Sequence, residues 1–436
     1  MRFCDKTFTI TEYGGFARGA ALCGFQGLPE KTFDALEAFI LANKSEGGGE
    51  AVELLSISAL RGAGKIIKAR NYVGLVTMSD GTVIEILPKI AGAGISVNDA
   101  KRVFLEMLKT LKDAAFKARS FSRLRVERLN LFEIFVKMFL DEALVLTKQG
   151  LKASYVPVEG NERFCKGKLL ASQNMKCNLA SKDHFFVRYD DFNINRAENK
   201  LIKSTLRFLL KATGDGQNRQ NAVRLLTLFD GVDYSTNYDA DFAKTFVDRS
   251  MSHYGKTLSW CRVFLKGNSF TAYAGGEVAL ALLFPMEKVF ESFVVAKLRK
   301  HIGDSAELRI QDRRYSLFDR PTMAFSLRPD IVMVHGGSTV VMDAKWKMLS
   351  ENARNYGVSQ ADMCQMYAYG KKYAAEKVIL LYPKSEEAPH AEISHQSNDG
   401  VKVEAAFMDL LNPDASARAI AYRARNIAVE GRQELL

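Results

Sequence analysis

Asp330 and the run Asp343-Ala344-Lys345 stand at mirror positions about His335-Gly336-Gly337-Ser338. A Gly pair between two short apolar runs is a strong hairpin signal, because a two-residue hairpin turn needs positive φ at both central positions. With the glycines at the centre, Asp330 lies opposite Asp343 with Cβ atoms roughly 5 Å apart, and loops of two or four residues give the same register. Period-two alternation puts Lys345 on that face and sends Ile331, Met333, Val340 and Met342 to the other. Val332, Val334 and Val341 make the first face apolar too. Strands apolar on both faces are covered by helices on both, so the pattern predicts central strands of an α/β sheet.

Like charges directly across a ladder destabilise a sheet unless a cation sits between them, and charges on covered strands are costly unless paired or functional. A hairpin end with solvated acids is the plain alternative, and the apolar neighbours argue against it. Hard oxygen ligands at this spacing suit Mg2+, with Mn2+ as a substitute. The expectation is a divalent-metal site for phosphodiester hydrolysis, in which Asp330, Asp343 and the backbone carbonyl of Ala344 are ligands. Glu291, in a preceding helix among Val289, Phe290, Phe293 and Val294, joins them directly or through water. Lys345 orients or deprotonates the attacking water and balances the charge of the transition state. In-line attack would leave a 5′-phosphate and a 3′-hydroxyl. Ser359-Gln360-Ala361-Asp362 reads as a helix start, which aligns Gln365 and Tyr369 along one stripe. Gln365 is expected to bind a phosphate or the attacking water, and Tyr369 to meet the DNA backbone.

At 436 residues the chain has room for two or three domains. Residues 1 to 100 read as a β-containing extension, with a helix at Lys31 to Asn43 and strands at Ile66 to Thr77 and Thr82 to Leu87 around the turn Ser79-Asp80-Gly81. Residues 101 to 280 read as a helical middle region, with a buried helix at Leu129 to Leu146, a long β-hairpin from Lys166 to Phe192 about the polar centre Asn178 to Asp183, and a helix at Arg196 to Ala212. Residues 281 to 436 read as a mixed sheet flanked by helices: a helix near Pro285, the hairpin, a helix at Ser359 to Ala374 and a strand at Lys377 to Tyr382. The predicted class is therefore multidomain α/β.

A net charge of +11 favours an anionic partner, and nucleic acid is the usual one. The stretch Lys101 to Arg128 holds nine Lys or Arg against three acids, and it reads either as a solvated helix face or as a phosphate-contacting surface. The six cysteines have no CxxC spacing and no zinc-like Cys/His cluster. No signal pattern or membrane-length apolar run is present, so a cytoplasmic location without membrane association is expected.

Arg328-Pro329-Asp330, Asp343-Ala344-Lys345 and the Gln365-x-x-x-Tyr369 helix resemble the PD-(D/E)xK nuclease signature. Asp343-Ala344-Lys345-Trp346-Lys347 with Gln365-Met366-Tyr367-Ala368-Tyr369 resembles McrC, the nuclease subunit of McrBC modification-dependent restriction systems. Lys166-Gly167-Lys168-Leu169, Tyr189-Asp190-Asp191-Phe192 and Asn199 to Leu206 resemble its middle region, and Ile84 to Ile90 resembles the N-terminal extension of longer McrC-like proteins. The resemblance implies an anti-phage endonuclease subunit that cuts double-stranded DNA, with modified cytosine as the mark. It also implies a partner, a McrB-type hexameric AAA+ GTPase, which the subunit binds and stimulates through a projection. Lys176 and Lys182, near the tip of the middle-region hairpin, are the candidate contacts. No Walker P-loop is present, which fits a subunit that borrows its motor. Two other readings stay open: a self-sufficient RecB-like repair nuclease, and a non-catalytic activator of an AAA+ ring.

Overall fold

A computed structural model describes residues 6–46, 54–61, 64–90, 95–111, 129–180, 182–245, 251, 253–266, 278–303, 306–390 and 392–426. The chain forms two compact units, one from residues 132–268 with the first six residues, the other from 7–131 joined to 269–436. The boundaries expected from the sequence lay near 100 and 280, and this two-unit division falls near 131 and 268. Strand Val278–Pro285 runs antiparallel to Tyr72–Met78, inside a sheet that also holds Val83–Leu87 and Thr7–Thr11. The last strand before the C-terminal helices thus completes the N-terminal sheet. Gly74 makes that pairing possible: a Cβ there would sit 1.9 Å from the Leu282 carbonyl oxygen, and its φ of 142° is open only to glycine. The predicted turn at Ser79-Asp80-Gly81 joins two of these strands, with Thr82 N donating to Asp80 Oδ1 at 2.8 Å. Helix Glu30–Glu46 and a second sheet, Gln26–Leu28, Gly15–Arg18, Gly64–Ala69 and Leu55–Leu60, close this core around Phe16, Phe33 and Phe39. Helix Val97–Leu108 buries Val103, Phe104, Met107 and Leu108, and its Lys101 is itself buried against Glu85 at 3.0 Å. Most of the basic stretch, residues 112–128, lies outside the described residues.

The C-terminal sheet has the order Glu307–Ile310, Ile331–His335, Ser338–Ala344, Lys377–Pro383, Lys402–Met408, Ser394–Gln396. Its three central strands from Ser338 onward run parallel, and the flanking pairs are antiparallel. Helix Gln360–Lys372 covers one face, packing Met366 and Tyr369 on Val332, Val341, Val378 and Leu380. Helices Met286–Ile302 and Pro413–Arg425 pack on each other and on the sheet strands Ser338–Ala344 and Lys402–Met408. Each fully buried aliphatic side chain in such a layer contributes about 1.5–3 kcal/mol.

The other unit is built from helices Leu131–Lys148, Ala197–Ala212, Gly216–Leu228, Tyr238–Lys244 and Tyr254–Lys266. Phe135, Phe139, Trp260 and Phe264 meet ring to ring at its core. The expected hairpin from Lys166 to Phe192 is corrected here: the long antiparallel pair is Ser154–Glu162 with Phe185–Asn193, and the segment between carries a two-residue strand, Lys168–Leu169, and the short helix Ala171–Cys177. The polar centre is a hydrogen-bond knot. Buried Asn178 donates to Asn161 Oδ1 at 2.7 Å, Asn174 Oδ1 at 2.8 Å and the His184 carbonyl at 3.0 Å, which fastens the insert to the strand pair.

Candidate active site

The hairpin forms in the expected register, with Ile331 facing Met342 and His335 facing Ser338 across a two-residue turn. Gly336 and Gly337 have φ of 58° and 87°, as that turn requires. Asp330, one residue before the first strand, accepts a hydrogen bond at Oδ2 from the Ala344 amide at 2.8 Å, which draws the two strand ends together. Asp343 is buried, and its Oδ2 meets the Lys345 ammonium at 2.8 Å without any aligned donor among the described residues. Lys345 Nζ also donates to Gln365 Oε1 at 3.0 Å and stands 4.0 Å from Asp362. Ser359 caps helix Gln360–Lys372 by accepting from the Asp362 amide, so the expected helix start is present and fixes the stripe.

Burial raises the Asp330 carboxyl well above its ordinary value, and the charges of Asp343 and Glu291 add to it. Asp343 is raised as well, by burial first, with Lys345 pulling the other way. Burial also works against the charge of Lys345, but Asp343, Asp362 and Asp330 outweigh it and hold the ammonium protonated. Two partly desolvated carboxylates therefore share one cation. A second cation would relieve both.

The donor set tests that idea. Two carboxylates and a backbone carbonyl are hard oxygen ligands of the kind Mg2+ takes together with waters. Among the described residues no group of three or more His, Cys, Asp or Glu side chains is arranged to hold a metal unaided. Glu291 accepts a hydrogen bond from Gln311 Nε2, and Gln311 Oε1 in turn accepts from Arg328. Glu291 is thus near enough to bias Asp330 while its own oxygen is turned to Gln311. Asp343 Oδ2, which meets only the Lys345 ammonium, and the two raised carboxyls fit a divalent cation at this spot.

Tyr369 departs from expectation. Only 2 % exposed, it has no reach to a DNA backbone; its hydroxyl accepts from Gln365 Nε2 at 2.8 Å and so orients the amide whose oxygen holds Lys345. Lys176 and Lys182 belong to the other unit, and both are exposed. The sequence reading missed Gln311, whose backbone amide donates to the Asp330 carbonyl at 2.9 Å, and it placed Asp362 on the stripe of Gln365 and Tyr369 without giving it a role at Lys345.

The McrBC 5-methylcytosine restriction system component family matches residues 67–383, most of the chain. The chain belongs to the McrBC family. Its fold is similar to that of a chain in an assembly of Thermococcus gammatolerans McrB AAA+ hexamers with bound McrC, at a TM-score of 0.70 and 20% identity over 96% of this chain and 100% of that one. A second Thermococcus gammatolerans McrBC complex contains a chain that matches at a TM-score of 0.51 and 21% identity, over 69% and 89%. No curated protein matches by sequence. This McrBC family member has, among its described residues, no helix long and apolar enough to cross a membrane.

Proposed function

We propose that this McrBC family member is the Mg2+-dependent DNA endonuclease subunit of a restriction complex, driven by a McrB-type AAA+ GTPase hexamer that it binds and stimulates. The observation that carries the proposal is the pairing of Asp330 and Asp343 across one hairpin with a single ammonium, Lys345, between Asp343 and Gln365. Asp330, Asp343 and the Ala344 carbonyl would hold Mg2+, which when bound polarises the phosphate and its attacking water. Lys345 orients that water and meets the negative charge that builds on the phosphate as the bond to the leaving 3′-oxygen breaks. Gln365, steered by Tyr369, holds Lys345 in line. Burial and the neighbouring acids raise Asp330 to about 8, so a cation bound there would displace the proton that its carboxyl otherwise holds near neutrality.

Co-purification with the AAA+ protein encoded beside it, followed by GTP-dependent cleavage of methylated against unmethylated duplex in Mg2+, tests this. Lys345→Ala should lower cleavage by about 10^2–10^3-fold or more while DNA affinity stays near the parent's. A Lys345→Ala protein that cuts at the parental rate would sink the assignment. Cutting by the purified chain with Mg2+ alone would instead favour the self-sufficient nuclease.

The insert between Glu162 and Phe185 is our candidate for the contact with the ring. Phe164, Met175 and Leu179 are strongly exposed there beside the exposed Lys176 and Lys182, a mixed apolar and basic surface with little to bury it in the chain's own unit. Deleting Met175 to Asp183 should lower the partner's stimulated GTPase turnover. Unchanged turnover would remove the insert from consideration.

A further inference from the structure

Between strand Glu307–Ile310 and Asp330 the chain makes an excursion: a small hairpin of Ser316–Phe318 and Ala324–Ser326, paired Ser316 to Ser326 and Phe318 to Ala324. Both of its ends rise beside the catalytic pair. Gln311 N donates to the Asp330 carbonyl at 2.9 Å, and Leu327 N to the Tyr315 carbonyl at 2.9 Å. Its root is fixed, because the Tyr315 ring stands edge-on to Tyr373 at 4.7 Å and Tyr373 edge-on to Tyr369, the residue that orients Gln365. Its tip is apolar and open: Phe318 is 55%, Phe325 74% and Met323 76% exposed. Phe325 also has a φ of 59°, a left-handed conformation that a bulky residue adopts at a cost, and its ring meets only Phe318, edge-on at 5.9 Å, among the described ring contacts.

The charges around this tip are one-sided. Arg313, Arg314, Arg320 and Arg328 are all exposed. The two acids of the segment are already matched, Asp312 by Arg314 at 2.7 Å and Asp319 by Lys372 at 2.7 Å. Arg313 and Arg320 hold no ion pair among the described residues. Exposed apolar side chains ringed by unmatched arginines suit a duplex: the guanidinium groups take phosphates and the apolar wedge presses between base steps in the minor groove.

We propose that the hairpin of residues 313–328 is a wedge that engages double-stranded DNA, with Phe318, Met323 and Phe325 against the base stack and Arg313 and Arg320 on the backbone. This rests on the nuclease reading and deepens it, since the wedge would set where the cut phosphate falls. The seven residue steps from Met323 to Asp330 span at most about 23 Å at roughly 3.3 Å each, so the wedge contacts DNA within about seven base pairs of the cleaved bond.

The test uses the full chain and a fluorescent duplex without divalent metal, with 2-aminopurine placed at successive positions to report unstacking. Phe318→Ser with Phe325→Ser should weaken binding about tenfold or more and abolish a position-specific rise in 2-aminopurine fluorescence. Arg313→Gln with Arg320→Gln should reduce the slope of log affinity against log salt by about 2, a readout that does not depend on the serine variant folding. Parental affinity, fluorescence and salt slope in both variants would overturn the proposal. So would variants that bind duplex normally and lose the AAA+ ring, which would make the hairpin a protein-docking element, and so would a parent chain that binds no duplex. Failure of the parent complex to cleave in Mg2+, with hairpin-dependent binding intact, would count against the nuclease reading alone.

Discussion

Two buried carboxylate clusters occupy opposite faces of the same six-stranded sheet, and they are solved in opposite ways. On one face Asp330 and Asp343 share Lys345, and both carboxyls are raised. On the other, buried Glu404 meets Lys377 at 3.1 Å, Lys402 at 2.9 Å and Arg423 at 2.9 Å, the last of which it shares with the exposed Glu392. Burial raises Glu404 too, but its three cations outweigh burial and hold it below the usual range. Three cations about one buried acid, with Glu392 at the rim, make a structural pin between Lys377–Pro383, Lys402–Met408 and helix Pro413–Arg425. One cation for two acids leaves a place for another. The contrast separates a carboxylate that stabilises the sheet from carboxylates that the sheet holds in reserve.

Mutation sharpens that contrast most. Glu404→Ala leaves the Lys377 ammonium, itself only 6% exposed, without its carboxylate and should cost about 3–5 kcal/mol in chemical denaturation. Asp343→Asn removes one member of a repelling pair, so the metal-free protein should unfold at the same or higher denaturant concentration while losing cleavage. Equal destabilisation by both would erase the distinction between a pin and a reserve site.

Opposite pH dependence follows from the opposite shifts. Asp330 is pushed up to about 8 in the folded chain against an ordinary 3.8, so between those values the folded state binds more protons and stability falls as pH rises. Glu404, held below its ordinary 4.5, contributes stability above that value and loses it as pH drops further. Denaturation of the metal-free protein should therefore show a decline from about pH 4 to about pH 8 that Asp330→Asn removes. Mg2+ at a hundredfold excess over its Kd should restore about 2.7 kcal/mol on the alkaline side. A melting profile in which Mg2+ protects Asp330→Asn as well as the parent would place the ion elsewhere.

These clusters were not equally legible. Gly336, Gly337 and the alternation of Ile331 to Val334 with Thr339 to Met342 are local signals, so the hairpin register and the facing of Asp330 with Asp343 were readable from the sequence. The partners of Glu404 come from two strands and a helix that no local periodicity links. The same limit applies to strand Val278–Pro285, whose partner Tyr72–Met78 lies far back in the chain and whose tolerance for close approach hangs on Gly74 alone. The helix stripe of Gln365 and Tyr369 was visible, yet spacing cannot say which side meets the sheet. Tyr369 went inward because it follows Met366 on the buried arc, and Gln365 stayed at the rim. In the middle unit, Pro157 and Gly160 disguised strand Ser154–Glu162, while Asn178, read as part of a polar hairpin centre, proved to be buried in a hydrogen-bond knot with Asn161 and Asn174.

Between the two extremes lies a third buried carboxylate. Glu12, 3% exposed, accepts from Trp346 Nε1 at 2.9 Å and the Lys89 amide at 2.9 Å; burial raises it, and the Lys89 charge opposes that rise. Lys89 Nζ donates to the Trp346 carbonyl at 2.7 Å, so the N-terminal sheet grips the residue next to Lys345 from two directions. Trp346→Phe keeps the ring that packs on Phe290 and removes one donor from a buried acid. The expected result is a loss of about 1–3 kcal/mol in stability and a severalfold fall in cleavage with unchanged DNA affinity. Glu12→Gln in the same protein should recover stability, since a neutral amide needs fewer donors, without recovering cleavage. Recovery of both would mean that Glu12 matters only for packing, and that the grip on Trp346 does nothing to place Lys345.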